Sequence, residues 1–169
     1  AFRYLTDEDP YEITAWFSAE VVPNPRGPHF QDRAGSIRAV TATGKRLYMD
    51  IGADQGHGIR VVYGGRNGTV TVNELSGELL SVVREDQYRE LPTTRYGMPS
   101  VDTRLIIQPA EVIEASAAVL MALLNGENSP SGEDGRRVIA LLVAAYESAE
   151  RGGVPVRMDG SLDRSRVFP

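Results

Sequence analysis

The sequence predicts an α+β fold: an open, mostly antiparallel β-sheet with two long helices packed on one face. Three observations carry this. Up to about residue 90 the chain is a series of short runs rich in β-branched and aromatic residues, punctuated by glycines and prolines. After Pro109 the apolar period changes from two to that of a helix. The two helical stretches that follow each carry their own start and stop signals.

The elements follow in order. Ala1 to Thr6 reads as the last turns of a helix, which Pro10 ends. "YEITAWFSAEVV" is a strand, and the Pro-rich "PNPRGPHFQDRAG" after it is a loop. "SIRAVTAT" and "KRLYMDIGA" flank Thr43-Gly44 as a hairpin. "GIRVVYG" and "GTVTVNE" flank a second turn, Gly65-Arg66-Asn67. Ile59-Arg60-Val61 and Val70-Thr71-Val72 alternate as in a sheet with one wet face. "ELLSVVRE" and "QYREL" supply one or two further strands, and "PTTRYGMPSVDTRLIIQP" is an irregular segment.

In "AEVIEASAAVLMALLNG" the apolar face is wide enough to predict a buried helix, stopped by Asn125-Gly126. The second helix begins at Ser131, with Asp134 completing a variant capping box, and shows Val138, Leu141, Leu142, Ala145 and Ala149 on its apolar face. Gly152-Gly153 stops it, and Val154-Pro155-Val156 forms a short edge strand. Residues 1–158 are thus expected to form a single domain, with 159–169 as a loosely ordered tail.

Composition narrows the function. A net charge of −5 among 169 residues disfavours nucleic acid or an anionic membrane as main partner. No run of apolar residues is long enough to span a bilayer. The absence of cysteine removes disulfides, thiolate metal sites and cysteine nucleophiles, and suits a reducing compartment, here the cytoplasm.

The densest polar cluster is "DIGADQGHGIR". Its glycines let a ligand approach the backbone, and Asp54, Gln55 and His57 are placed to bond the hydroxyls of a sugar-like molecule. The same residues also suit an ordinary hairpin turn with solvated polar tips. Arg95 and Tyr96, in "RYGMP", lie in a loop of the kind that rims sites or merely connects elements. His29 and Asp32 make only a weak metal pattern. "GGRNG" is not a phosphate loop, because a strand and not a helix follows it. Ser131 and Ser148 have helix-structural explanations, and no nucleophile elbow occurs.

"SGEDGRRVIALLVAAYESAERGGVPVRM" strongly resembles the C-terminal end of the Gfo/Idh/MocA family of NAD(P)-dependent sugar and inositol dehydrogenases, through Gly132, Glu133, Asp134, Gly135, Ala144, Ala145, Tyr146, Ser148, Ala149, Gly152 and Val156. "RVVYGGRNGTVTVNE" resembles the family's central hairpin, and "RYLTDEDPYEITA" the segment after its catalytic helix, closest to the glucose–fructose oxidoreductase-like branch. The resemblance implies a second domain without its N-terminal Rossmann domain. It implies NAD or NADP in the parent enzyme, none bound by this chain, and no catalytic residue here. It also implies three partners: a sugar-like small molecule, the chain's own Rossmann domain, and further copies of itself through a sheet face. Asp54, Gln55, His57, Arg95 and Tyr96 are then the expected substrate contacts. The alternative is a free-standing, non-catalytic binding or oligomerisation module of the same form.

Overall fold

The structure is a computed structural model, and describes residues 1–24, 27–52, 59–95, 97–127, 130–160, 162–163 and 165–166. In chain order the elements are α1 (Phe2–Thr6), β1 (Pro10–Pro23), β2 (Gln31–Thr41), β3 (Arg46–Ile51), β4 (Arg60–Gly65), β5 (Gly68–Asn73), β6 (Glu78–Arg84), β7 (Ser100–Ile106), α2 (Val112–Leu124), α3 (Gly132–Glu150) and β8 (Val156–Arg157). The α+β class and the antiparallel pairing are as predicted. The strands form two four-stranded sheets, and every strand pair in them is antiparallel. The chain divides into two compact units, residues 1–55 with 128–169, and residues 56–127.

In the first unit the strand order is β3-β2-β1-β8, with α3 laid against β1. Register places Ile13, Ala39 and Leu47 in one row across the sheet, and Ala15, Ile37 and Met49 in the next. Ile13, Ala15 and Ala39, with Val156 beside Ile13 on β8, form one buried cluster with Ala144 and Ala145 of α3. The small side chains of α3 bring its backbone close to the strand. Its buried residues are Val143, Ala144, Ala145 and Ser148. Val138 and Leu142, assigned to the apolar face from sequence, are exposed. The contact stripe runs through Leu141, Ala144, Ala145 and Ser148, at the spacing of one helix face.

Both ends of α3 are closed by its own residues. At the start, Ser131 Oγ accepts from Asp134 N at 3.1 Å, and the Asp134 carboxylate accepts from Ser131 N at 2.9 Å. At the end, Gly153 N donates to Ser148 O at 2.8 Å and Gly152 N to Ala149 O at 3.0 Å, which is a Schellman stop. Arg3 of α1 reaches Asp134 at 3.0 Å, and Arg137 reaches Asp9 at 2.7 Å, tying the first residues of the chain to α3.

In the second unit the order is β4-β5-β6-β7, a meander. Gly65 pairs with Gly68, so Arg66-Asn67 forms the two-residue turn between β4 and β5. Asn73 Oδ1 accepts from Leu75 N at 3.1 Å and Ser76 N at 3.2 Å, shaping the next connection. Two sequence expectations are corrected here. Gln87 to Leu91 is not a strand: Asp86–Tyr88 is a 3₁₀ turn. The segment taken as irregular contains β7, whose register against β6 runs without a break from Ser100 to Ile106.

Helix α2 is closed at its start by Glu111 and Glu114 in reciprocal contact, but it contains no buried residue. Val112 is 82% exposed and Leu124 72%. The burial expected for this helix is therefore not met. Apolar periodicity reports that a helix face seeks cover, and says nothing of what provides it.

Candidate functional site

The site is built in the first unit, where β1 leaves its register. Phe17 lies opposite Gly35 and Val21 opposite Arg33, so Ser18, Ala19 and Glu20 stand against Ala34 alone. A bulge of this kind bends the strand and re-aims the side chains beside it. Ser18 Oγ accepts from Glu20 N at 3.0 Å and satisfies a donor the bulge would leave open. Gly35 is required on the partner strand, because a Cβ there would stand 2.3 Å from Trp16 O.

Phe17 and Arg33, which bracket the bulge, line a cleft of about 230 Å³ together with Tyr146, Ala149, Glu150 and Arg166. Tyr146 and Glu150 are one helical turn apart on α3 and share a face. The rings of Phe17 and Tyr146 lie 4.9 Å apart at 52°, a tilted aromatic pair. The C-terminal segment supplies the rest. Leu162 packs against the core, Asp163 N donates to Glu147 Oε1 at 3.4 Å, and Arg166 lies 5.0 Å over the Tyr146 ring.

Arg166 grips Glu150 with both Nη atoms, one of them at 3.0 Å. Its side chain is 18% exposed, against 60% for Glu150. The Arg166 guanidinium, and to a smaller extent the Arg33 charge, hold the Glu150 carboxyl below its ordinary value. Glu150 in turn raises Arg166. A carboxylate held ionised in this way is a poor proton donor near neutrality.

No protein-family model matches the sequence, and no curated protein matches it. Among solved structures the chain is similar to the aldose–aldose oxidoreductase from Caulobacter crescentus, determined in complex with glycerol, with a TM-score of 0.64 and 20% identity. The match covers 93% of this chain and 44% of that one. The chain therefore spans less than half the length of its structural neighbour. At this identity the likeness establishes a shared fold.

The expected substrate contacts stand as follows. Asp54, Gln55, His57 and Tyr96 lie outside the described residues. Arg95 is exposed in the loop before β7. Its N–H donates to Pro92 O at 3.0 Å, and its carbonyl accepts from Arg84. Asp32 receives the Asn24 amide at 2.9 Å on both carboxylate oxygens. Ser131 caps α3 as read from sequence, whereas Ser148 is buried and its hydroxyl serves the β1 backbone at Ala15 and not the helix.

The residues of the cleft were not singled out from sequence. Phe17 reads there as one more apolar strand position, and a bulge leaves no local mark. Tyr146 and Glu150 at helical spacing inside the family-like stretch were the available signal. Arg166, in a polar tail, offers none.

Proposed function

We propose that this chain is the C-terminal, substrate-binding and oligomerisation part of an NAD(P)-dependent oxidoreductase acting on CH–OH groups of sugar-type molecules. The observation that carries the reading is the shared fold with a sugar oxidoreductase, which takes in nearly all of this chain and under half of the other. The family-like stretch from Ser131 to Met158 supports it. Hydride transfer needs a bound dinucleotide, and the sequence carries no G-x-G-x-x-G. A Rossmann domain would supply cofactor and base, and this part would supply polar contacts to the substrate. Asp54, Gln55, His57, Arg95 and Tyr96 remain the residues proposed for those contacts. Without the Rossmann part the chain is expected to be inactive.

Self-association is part of the same proposal. Val61, Val72, Leu79 and Leu105 form one row across the second sheet, with Tyr63, Val70, Val83 and Val101 on the same face. None of the eight is buried. A face rich in exposed apolar residues, broken by Ser81 and Thr103, supports the proposed interaction surface. Among the described residues no helix is long and apolar enough to cross a membrane. With the absence of cysteine, a cytoplasmic setting is the proposed one.

The test is binding and turnover measured on this chain. Amide signals of residues 54–57 and 95–96 should shift with glucose or glycerol, and NADH or NADPH should not bind saturably. Saturable dinucleotide binding, or oxidation of any sugar by the chain alone, would sink the proposed division of labour.

A further inference from the structure

The cleft beside the β1 bulge has a charge arrangement that the proposed function does not use. Its lining holds two guanidinium groups, Arg33 and Arg166, and one carboxylate, Glu150. Arg166 and Glu150 satisfy each other in a bidentate pair. The Arg33 side chain has no hydrogen-bond or ion-pair partner among the described residues; its charge reaches Glu150 only through space, and the lining as a whole keeps one net positive charge. Glu147 contributes a weaker field on Arg166, and its carboxylate is engaged by the Asp163 backbone N–H.

We propose that this cleft is a binding site for a small oxoanion, held between the Arg33 and Arg166 guanidiniums, with Glu150 as the resident counter-charge that the ligand partly displaces. The planar fork of arginine matches the oxygens of a carboxylate or a phosphate. The Glu150 carboxylate is well exposed and can swing into water, whereas Arg166 is largely enclosed and anchored over Tyr146. Among the described residues the Arg166 Nε–H is buried with no acceptor. A volume of about 230 Å³ suits a ligand of a few heavy atoms, resting on the Phe17 and Tyr146 rings.

The experiment uses the whole chain at constant ionic strength set with sodium chloride. Inorganic phosphate and acetate are titrated separately while the Arg33 and Arg166 side-chain NMR signals are followed. Saturable shifts of both signals are expected with at least one of the two, and the one that saturates names the ligand's anionic group. Arg33→Gln, at an exposed position, should weaken that binding by at least about tenfold, the worth of a hydrogen bond to a charged group. Glu150→Gln should tighten it roughly twofold to fivefold, by removing a competing exposed charge. Unsaturated shifts with both anions, an Arg33→Gln titration like that of the parent chain, or weaker binding in Glu150→Gln would each overturn the proposal.

Discussion

The backbone N–H of Ala15 donates to the hydroxyl of Ser148 at 2.9 Å, inside the core of the first unit. The sheet explains why. Strand β8 covers β1 only at Glu12 and Ile13, so Ala15 turns an amide toward a neighbour that has already ended. Ser148, on the buried face of α3, supplies the missing acceptor. A serine in an otherwise apolar helix stripe is thereby accounted for, as the alternative is a buried amide with no partner.

Ser148→Ala should therefore cost about 1–3 kcal/mol, the range for leaving a buried donor unsatisfied. Urea unfolding gives the number. Ser116, whose hydroxyl donates to Val112 O on exposed α2, is the control. Its replacement by alanine should stay within about 0.5 kcal/mol. Equal effects at the two serines would contradict the role given to Ser148.

Gly152 and Gly153 both adopt positive φ, at 72° and 83°. They differ in their surroundings. A Cβ on Gly152 meets nothing within 4 Å, whereas one on Gly153 would stand 2.3 Å from Trp16 Nε1. Gly152→Ala should cost about 1 kcal/mol, from backbone strain alone. Gly153→Ala should cost more and change the emission of Trp16, the only tryptophan. Repeating Gly153→Ala in a Trp16→Ala background should return the cost toward that of Gly152→Ala. A cost that persists without the indole would show that the collision is not the cause.

Among the described residues, three carboxylates are held well below their ordinary values, each at about 2. Glu8 is lowered by Lys45, then by Thr41 and Thr43. Glu133 is lowered by Arg136 and Arg137, and Asp134 by the Ser131 backbone and hydroxyl and by Arg3. Their folded pKa lies below the unfolded one, so the folded state favours the ionised form. This contribution is complete above the unfolded values of 3.8 to 4.5 and is lost as pH falls toward 2. Asp134→Asn should flatten the acid limb of the stability–pH curve between about pH 4 and pH 2. The groups are in partial contact with water, so added salt should shrink the effect. An unchanged acid limb in Asp134→Asn would rule out the capping carboxylate as its source.

How far the sequence could be read depends on the range of the forces involved. The hairpin at Arg66-Asn67, the capping box of Ser131 and Asp134, and the glycine stop of α3 are local, and their residues announce them. Strand β7 was missed because Pro99 and Pro109 mark its flanks as loop, while its pairing with β6 is a tertiary fact. The face of α3 was misplaced because Val138 and Leu142 fit an apolar pattern as well as Leu141 does. Only the position of β1 decides among them. The cleft was invisible for a related reason. It draws on β1, β2, α3 and the tail, and sequence spacing says nothing about the bulge that joins them.

The apolar face of the second sheet yields the last prediction. Val101 and Leu105 are 54% and 50% exposed on edge strand β7, beside Val83 and Leu79 on β6. If this face joins copies of the chain, a charge placed there must be buried on association, at a cost far above that of the same charge in water. Val101→Glu and Leu105→Glu should therefore shift the chain toward monomer in light scattering, while an exposed charge change elsewhere, such as Arg60→Glu on the opposite face, should not. Because both positions are already half exposed, neither substitution should lower the melting temperature measured under dilute, monomeric conditions by more than a few degrees. Unaltered self-association in both variants, or a clean monomer for the parent chain at high concentration, would remove this face as the interface.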